Sequence, residues 1–457
     1  MVVQHNMQAA NANRMLNVTT SAQSKSTEKL SSGYRINRAA DDAAGLTISE
    51  KMRKQIKGLD RASTNAEDGV SAVQTAEGAL TEVHSMLQRM NELATQSANG
   101  TNSNTDRKAI QDEIDQLTTE IDRVSETTKF NETYLLKGDG AEKAHNVNAH
   151  DAGLDGVTLT DKGDTVDVTL KTLNAGDKIS IAGKNYTIGA TTADAQKIVD
   201  AQKVDGKTVT VNGTTYTYKN NQWTNAGGGA AGSITIKGGD VVSDGTKTLT
   251  AMKDGANAAG ADGIDDNDST VITAGKAYQL QTAEIVKASS IGTDTAAAVK
   301  NGANADKDAT ATFTLNKGTV SYKDALSFNL HVGADADMTN KITVNIDSMN
   351  SAGLGVKGIK ADTEQDATYA IDAIADAIST VSSQRSALGA VQNRLEHTIN
   401  NLDNVVENTT SAESRIRDTD MAEEMVNYSK NNILAQAGQS MLAQANQSNQ
   451  GVLSLLQ

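Results

Sequence analysis

One long stripe of apolar residues lies between positions 48 and 93. Apolar residues recur there every three or four positions, apart from one wider step after Leu59. This is the spacing of a helix face that packs along a partner helix. The stripe consists of Ile48, Met52, Ile56, Leu59, Ala66, Val70, Val73, Ala76, Leu80, Val83, Leu87, Met90 and Leu93. A helix over 46–98 spans about 80 Å at 1.5 Å per residue, so it needs partners along its whole length.

Two further segments carry the same spacing and are the predicted partners. One comprises Ile110, Ile114, Leu117, Ile121 and Val124; the other comprises Ile371, Ile374, Ile378, Val381, Leu388, Val391, Leu395, Ile399, Leu402 and Val405. The polar, glycine-containing stretch 97–104 turns the chain between the first two helices. The pattern therefore predicts a rod that is closed by bringing the two chain ends together. A generic helical bundle explains the periodicity equally well, so periodicity alone indicates no function.

Residues 1–44 and 416–457 have weaker apolar patterns, among many Asn, Gln and Ser residues. Their charges are complementary, with a net +2 over the first segment and −2 over the second. Two such segments bury too little surface to remain ordered in a single chain. We expect them to be disordered in the monomer and to become paired helices in an assembly.

The middle of the chain, 140–324, is rich in Gly, Asp, Thr and Lys. Short alternating runs predict strands at 178–181, 186–188, 208–211, 214–218, 233–236 and 312–315, with a tight hairpin at Asn212-Gly213. A second hairpin, 326–332 with 342–346, returns to the rod. The predicted fold is mainly α: a long coiled-coil or helical-bundle rod formed by both chain ends, with an inserted β-rich outer domain.

Composition narrows the possible functions. The net charge of −15 and pI near 4.9 argue against nucleic acid and anionic membranes as partners. The chain has no cysteine, which removes disulfides and thiolate catalysis, and no proline. No apolar run reaches the ~18 residues of a membrane span. The first residues lack the basic and apolar regions of a signal peptide, so we expect export without a cleaved signal.

Candidate catalytic or metal-binding residues are sparse. His145 and His150 have no evident third ligand, and Asp262, Asp265, Asp266 and Asp268 lack the glycine and glutamate of a calcium loop. No His has another His four positions away, as a zinc-protease motif requires. We predict no enzyme, no metal and no cofactor. A hydrolase site within 140–324 is the alternative, and a trimeric coiled-coil adhesin is another, although that class needs a signal peptide and a membrane barrel.

Several long motifs resemble the bacterial flagellin family. Residues 26–46 read STEKLSSGYRINRAADDAAGL, residues 87–93 read LQRMNEL, residues 386–395 read SALGAVQNRL and residues 452–456 read VLSLL. The resemblance covers roughly 1–138 and 325–457. It implies an extracellular subunit that self-assembles into the flagellar filament, with an export chaperone, cap and junction proteins as further partners. It assigns 1–44 plus 416–457 to an inner tube, 45–139 plus 325–415 to a surrounding rod, and 140–324 to a surface-exposed insert.

The resemblance also assigns residue roles. Contacts with the host Toll-like receptor 5 fall on Gln88, Arg89, Leu93 and Glu113, although Asn91 stands where many members have a second arginine. The alternative for Arg89 is a solvated rod residue paired with Glu92 or Glu113. The predicted assembly residues at the chain ends are Leu30, Ile36, Arg38, Leu434, Met441, Leu453, Leu455 and Leu456.

Overall fold

The computed structural model describes residues 6–225, 230–255 and 261–454, and side chains as far as 448. The chain divides into two compact units. The terminal unit combines residues up to Ser71 with Asn329–Thr343 and residues from Val391 onward. The central unit combines Ala72–Phe328 with Val344–Ala390.

Seven α-helices occur among the described residues. They are α1 Met7–Ser32, α2 Ala43–Ser97, α3 Asn104–Thr127, α4 Thr192–Ala201, α5 Ala274–Ala288, α6 Glu364–Arg417 and α7 Met421–Ser454. The three predicted helices of the rod are confirmed in α2, α3 and α6. Against the expectation that the two ends are disordered in the monomer, they form α1 and α7 in this single chain.

Local chemistry explains where these helices begin and end. The Asn6 side chain accepts a hydrogen bond from the Ala9 amide at the start of α1, and Gly33 ends that helix in the left-handed conformation at φ 77°. Ser103 and Asp106 form a reciprocal capping box at the start of α3. Each cap satisfies backbone groups that have no partner within the helix.

The apolar stripe of α2 is buried over most of its length. In the central unit it is continuous: Val73, Ala76, Leu80, Val83, Leu87 and Met90 have no exposed surface. In the terminal unit Leu59, Ala62 and Ala66 are buried. The prediction is wrong for Ile48, which is 46% exposed. At that end of the helix the neighbouring Ser49 is buried instead, and its hydroxyl donates to Glu413 at 2.7 Å.

A two-stranded sheet of β18 (Leu326–His331) and β19 (Lys341–Ile346) forms the predicted hairpin. In the terminal unit, Leu330 and Ile342 of this hairpin pack with Ala66 of α2 and Leu395 of α6. The Asn65 side chain donates to the His331 carbonyl at 2.9 Å. A short 3₁₀ helix, Met338–Asn340, lies at the hairpin tip.

The central unit contains the other strands. They are β1 Lys129–Phe130, β2 Thr133–Tyr134, β3 Asp139–Asn146, β4 Thr158–Asp161, β5 Thr165–Thr169, β6 Lys178–Ile181, β7 Lys184–Ile188, β8 Thr208–Val211, β9 Thr214–Lys219, β10 Gln222–Asn225, β11 Ala230–Gly232, β12 Val241–Ser243, β13 Thr248–Thr250, β14 Val271–Ile272, β15 Ala298–Val299, β16 Thr312–Asn316 and β17 Thr319–Asp324. The sheet orders are β1-β2, β11-β10-β9-β8-β12-β13, β14-β7-β6, β15-β16-β5-β4 and β17-β3.

Two separate cores support these sheets. One core gathers residues of β5, β7, β16 and α5, including Val168, Ile188, Phe313 and Ile285, and it also contains Tyr369 of α6. The other packs α4 against the six-stranded sheet around Trp223, which is 1% exposed. The β-rich segment therefore has its own cores, and α6 contributes a side chain to one of them.

The two ends of the β-rich segment lie side by side. Strands β3 and β17 are antiparallel, and Asp139 is the register partner of Asp324. Two predictions within the segment need correction. Residues 233–236 are not a strand, although Ile234 and Ile236 still pack on the Trp223 core. Helices α4 and α5 were not predicted, because their buried positions are mostly small or polar residues.

Candidate functional site

The two terminal helices, α1 and α7, pack side by side in the terminal unit. Gly438 of α7 faces Leu16 of α1, and a Cβ added there would lie 3.4 Å from the Leu16 Cδ1 atom, an ordinary van der Waals distance. An open groove of about 740 Å³ follows the pair. Met15, Leu16, Leu434 and Met441 are among its lining residues. The groove is an apolar surface that the terminal unit does not itself cover.

A second apolar patch lies on α7 alone. It is formed by Met425, Val426, Ile433 and Leu434, and both Val426 and Ile433 are 67% exposed. Contiguous exposed apolar surface on a soluble chain marks an interaction site more often than a solvated face. Leu434 belongs to both the patch and the groove, so the two form one continuous surface, termed below the terminal apolar surface.

The chain segments that precede α7 and follow α1 are joined by backbone hydrogen bonds. The Arg35 amide donates to the Arg417 carbonyl at 2.7 Å, and the Thr419 amide donates to the Gly33 carbonyl at 3.0 Å. The Arg417 guanidinium lies over the Tyr34 ring, 4.8 Å from its centroid. These contacts fix where the two ends meet. The opposite net charges of the two ends are the one sign of these contacts that is visible in the sequence.

The complementary charges form one ion pair between α1 and α7 among the described residues, Lys29 with Glu424 at 3.8 Å. Ile36 is buried and Leu30 is partly buried. Arg38 is exposed and its side chain bonds to Glu28 at 2.9 Å. Of the other predicted assembly residues, Leu453 lies in α7 beyond the described side chains, and Leu455 and Leu456 lie outside the described residues.

A second candidate surface lies where α2 and α3 face solvent in the central unit. The Arg89 guanidinium donates from Nε to Glu113 Oε1 at 2.9 Å and from Nη1 to Glu92 Oε2 at 3.2 Å. The hydrogen bonds from Glu113 and then Glu92 raise the pKa of Arg89. Gln88 is also exposed, and its amide nitrogen lies 3.1 Å from His84 Nε2. Gln88, Arg89 and Glu113 therefore form one exposed polar group.

Leu93 does not belong to this group. It is 2% exposed because it continues the buried stripe of α2 with Leu87 and Met90. Its inclusion among surface contacts is wrong for this structure. Leu93 already belongs to the apolar stripe in the sequence. Its place in that stripe distinguishes Leu93 from the exposed polar positions beside it.

The side chains considered as metal ligands have other partners. His145 stacks on Tyr322 and its Nε2 atom lies 3.4 Å from Asp324. Asp265 accepts the backbone amides of Asn267 and Lys253, as expected for an acidic turn. Within the described ranges no cluster of three His, Cys, Asp or Glu residues is suited to a metal ion. In the same ranges no helix has the length and apolar character that a membrane span needs.

Comparison with known proteins gives the family. The family model described as "Bacterial flagellin N-terminal helical region" matches residues 3–141, and "Bacterial flagellin C-terminal helical region" matches residues 371–456. A flagellin of Clostridium tyrobutyricum is 43% identical, with 98% of this chain and 100% of the relative covered. Polar flagellin B/D of Vibrio parahaemolyticus is 35% identical, with 99% of each chain covered. A flagellin of Halalkalibacterium halodurans is 35% identical over the whole of both chains.

Among solved structures, FliC of Burkholderia pseudomallei is 19% identical over 71% of this chain and 99% of that chain, with a TM-score of 0.28. The family assignment therefore rests on the sequence matches. The chain belongs to the bacterial flagellin family, and it is a structural, non-enzymatic subunit of the extracellular flagellar filament.

Proposed function

We propose that α1 and α7 make the contacts by which one copy of this chain binds the next in the filament. On this proposal 1–44 plus 416–457 form the inner tube, 45–139 plus 325–415 form the rod around it, and 140–324 is exposed on the outside. The observation that carries the proposal is the terminal apolar surface. It brings together exposed apolar side chains of both terminal helices, among them Met15, Ile433 and Met441.

The energetics of the terminal helices support this assignment. Ser26 is the buried residue of α1, and Ala435 is the buried residue among the described side chains of α7. A helix of the 26 residues of α1 is marginal in water without packing. Covering the exposed Leu, Ile, Val and Met side chains with other copies would contribute about 1.5–3 kcal/mol for each one fully buried. Assembly therefore stabilises the ends as it joins the subunits.

A single charge placed on the terminal apolar surface tests the proposal. Leu434→Asp puts a carboxylate where groove and patch meet, at a side chain that is already 47% exposed in the free subunit. Folding of the monomer should be retained, but burying the charge between copies costs at least ~2 kcal/mol. We expect the critical concentration for growth on filament seeds to rise by tenfold or more.

The matched control is Val204→Asp, which changes an exposed apolar residue of the β-rich segment. Growth on seeds is followed by light scattering and electron microscopy, and circular dichroism checks the helix content of both monomers. Growth of the Leu434→Asp protein at the wild-type rate would remove α7 from the subunit interface. An equal loss of growth in both variants would mean that a charge added elsewhere on the subunit also impairs assembly. The effect would then not be specific to the terminal apolar surface.

We also propose that the exposed group of Gln88, Arg89 and Glu113 binds the host Toll-like receptor 5. The support is the family resemblance together with exposure: these side chains project from α2 and α3 on the side opposite the buried stripe. The ion pair with Glu113 holds the Arg89 side chain across the two helices. A partner therefore meets an arginine whose conformation is already restricted, which lowers the entropy cost of binding.

Arg89→Ala tests the receptor proposal, with Arg123→Ala as control. Arg123 is also an exposed arginine, outside the group of Gln88, Arg89 and Glu113, and it pairs with Glu120 on α3. Surface ion pairs contribute about 0–1 kcal/mol to folding, so both variants should fold and polymerise. Titration with the receptor ectodomain should show about a tenfold weaker Kd for Arg89→Ala alone. Unchanged affinity would remove Arg89 from the site.

We propose the export chaperone as the partner of α7 before assembly, and the cap and junction proteins as partners at the filament ends. The support is that the terminal apolar surface is exposed in the single chain. An excess of the chaperone should slow growth on seeds in proportion to the complex formed. Wild-type growth rates at saturating chaperone would contradict its binding to this surface.

A further inference from the structure

We propose that the exposed methionines of α1 and α7 are modification sites, at which oxidation to methionine sulfoxide prevents the subunit from polymerising. The inference rests on the proposed role of the terminal helices in assembly. The reactant at these methionines is a two-electron oxidant of the peroxide class.

The distribution of methionine carries the inference. The chain has 12 methionines, and all but Met1 are described. Met90, Met252 and Met349 are buried. The exposed ones are Met7, Met15, Met421, Met425 and Met441 on the terminal helices, and Met338 at the hairpin tip. Five of the six exposed methionines thus lie on the helices assigned to subunit contacts, and three of these, Met15, Met425 and Met441, line the terminal apolar surface.

Three of these methionines lie beside other apolar side chains of the terminal apolar surface. Met15 and Met441 line the groove between α1 and α7, on opposite helices. Met425 lines the adjoining patch with Val426 and Ile433. Methionine suits such a surface because its flexible, polarizable side chain adapts to a partner. The same exposure leaves its sulfur open to oxidants in the free subunit.

The reaction is balanced without help from another residue. The thioether sulfur attacks the distal oxygen of hydrogen peroxide, the O–O bond breaks, and an S=O bond forms. Sulfur loses two electrons, the peroxide is reduced, and water leaves after proton transfer through solvent. The product is polar and chiral where the thioether was apolar. Groove and patch also contain polar side chains, among them Asn11, Ser429 and Lys430. A contact formed around an apolar thioether must nevertheless desolvate the new S=O dipole when another copy covers it, and this opposes assembly.

The consequence differs between free and assembled subunits. In the filament these sulfurs would be covered by neighbouring copies and react slowly. In the free subunit they react at the rate of exposed methionine. Oxidation therefore acts on subunits before they are incorporated, and methionine sulfoxide reductases, one for each sulfoxide epimer, reverse it.

The test treats the full-length monomer with hydrogen peroxide, locates sulfoxide by peptide mass spectrometry, and measures growth on untreated seeds. We expect oxidation at the six exposed methionines before Met90 and Met349, and a tenfold or greater loss of growth rate. Reduction with both reductases should restore growth. A variant with Leu at Met7, Met15, Met421, Met425 and Met441 should lose less than twofold under the same treatment. Met338→Leu, which removes an equally exposed methionine outside the terminal helices, should remain as sensitive as wild type.

Several results would overturn the inference. Oxidised wild type that grows like untreated protein would do so, as would equal protection by Met338→Leu and by the five-site variant. So would faster oxidation of these methionines in filaments than in monomers. Failure of the assembly proposal itself is seen separately, because the Leu434→Asp variant reports on the interface without any oxidant.

Discussion

Two glycines of α2 let the β18–β19 hairpin approach the helix backbone, and replacing one of them gives a quantitative test of this packing. In the terminal unit, a Cβ added at Gly58 would lie 2.9 Å from Ala334 Cβ and 3.1 Å from Ala334 Cα. Gly69 faces Leu330 of the same hairpin. Gly78 lies in the same helix, and a Cβ there meets nothing within 4 Å.

The expected changes in the free energy of unfolding follow from two opposing effects. Alanine in place of glycine in a helix stabilises it by about 1 kcal/mol, and this is the whole effect at Gly78. At Gly58 the added methyl meets a Cβ and a backbone atom that no rotamer change can move, and such overpacking costs about 1–3 kcal/mol. Taking the middle of that range, Gly58→Ala should be about 1 kcal/mol less stable than wild type, and about 2 kcal/mol below Gly78→Ala.

Hydrogen exchange of the monomer, read by mass spectrometry on α2 peptides, measures the local opening free energy. Protection should fall around Gly58 in Gly58→Ala and rise around Gly78 in Gly78→Ala, each by about fivefold. Gly69→Ala should fall between them, because the atoms that it meets belong to the movable Leu330 side chain. Equal gains in protection at Gly58 and Gly78 would refute the close approach of the hairpin.

Other consequences can be checked in the same protein. Leu80→Asp places an unpaired charge at a position with no exposed surface. The free energy of unfolding should therefore fall by several kcal/mol, and an unchanged melting curve would contradict the packing. Replacing 141–324 by a short flexible linker should preserve growth on seeds, since Asp139 and Asp324 are already paired; loss of growth would make the insert structural. Burial raises the pKa of Asp372 and outweighs the opposing effect of His150, while Asp151 and Asp376 raise the pKa further. The ionised form of Asp372 thus opposes folding above the raised pKa. Asp372→Asn should therefore increase the melting temperature at about pH 7 but not at about pH 3. Limited proteolysis of the monomer should trim 1–44 and 416–457 first, and the trimmed product should not polymerise; resistant ends would contradict their dependence on assembly.

Helix positions were predictable from the sequence wherever periodic burial determines them. The stripe through Leu80 and Leu87 identified α2, because a helix buried along one face must repeat its apolar residues every three or four positions. The start of α3 follows from the Ser103–Asp106 capping box. The prediction failed at Ile48, because the neighbouring Ser49 is the residue that faces α6 there, through its hydrogen bond to Glu413.

Contacts between distant segments could not be predicted, because they depend on which side chains the fold brings together. Tyr369 of α6 completes the core of the β-rich segment, and its hydroxyl donates to Glu284 of α5 at 2.6 Å. Ser49 and Glu413 meet across 364 positions of sequence. Nothing in their spacing distinguishes these residues from solvated ones. Helices α4 and α5 were missed for a related reason, since tertiary packing stabilises them and their buried positions are mostly small or polar residues.

The distribution of burial shows why folding and assembly are linked in this chain. Helix α2 buries its stripe completely in the central unit, with Leu80, Leu87 and Met90 at no exposure. Helices α1 and α7 have the same secondary structure but leave their larger apolar residues in water. Because the chain has no cysteine, no disulfide compensates for this deficit. Binding to other copies stabilises the ordered ends by mass action, so the ends gain in the filament the packing that α2 already has within one chain.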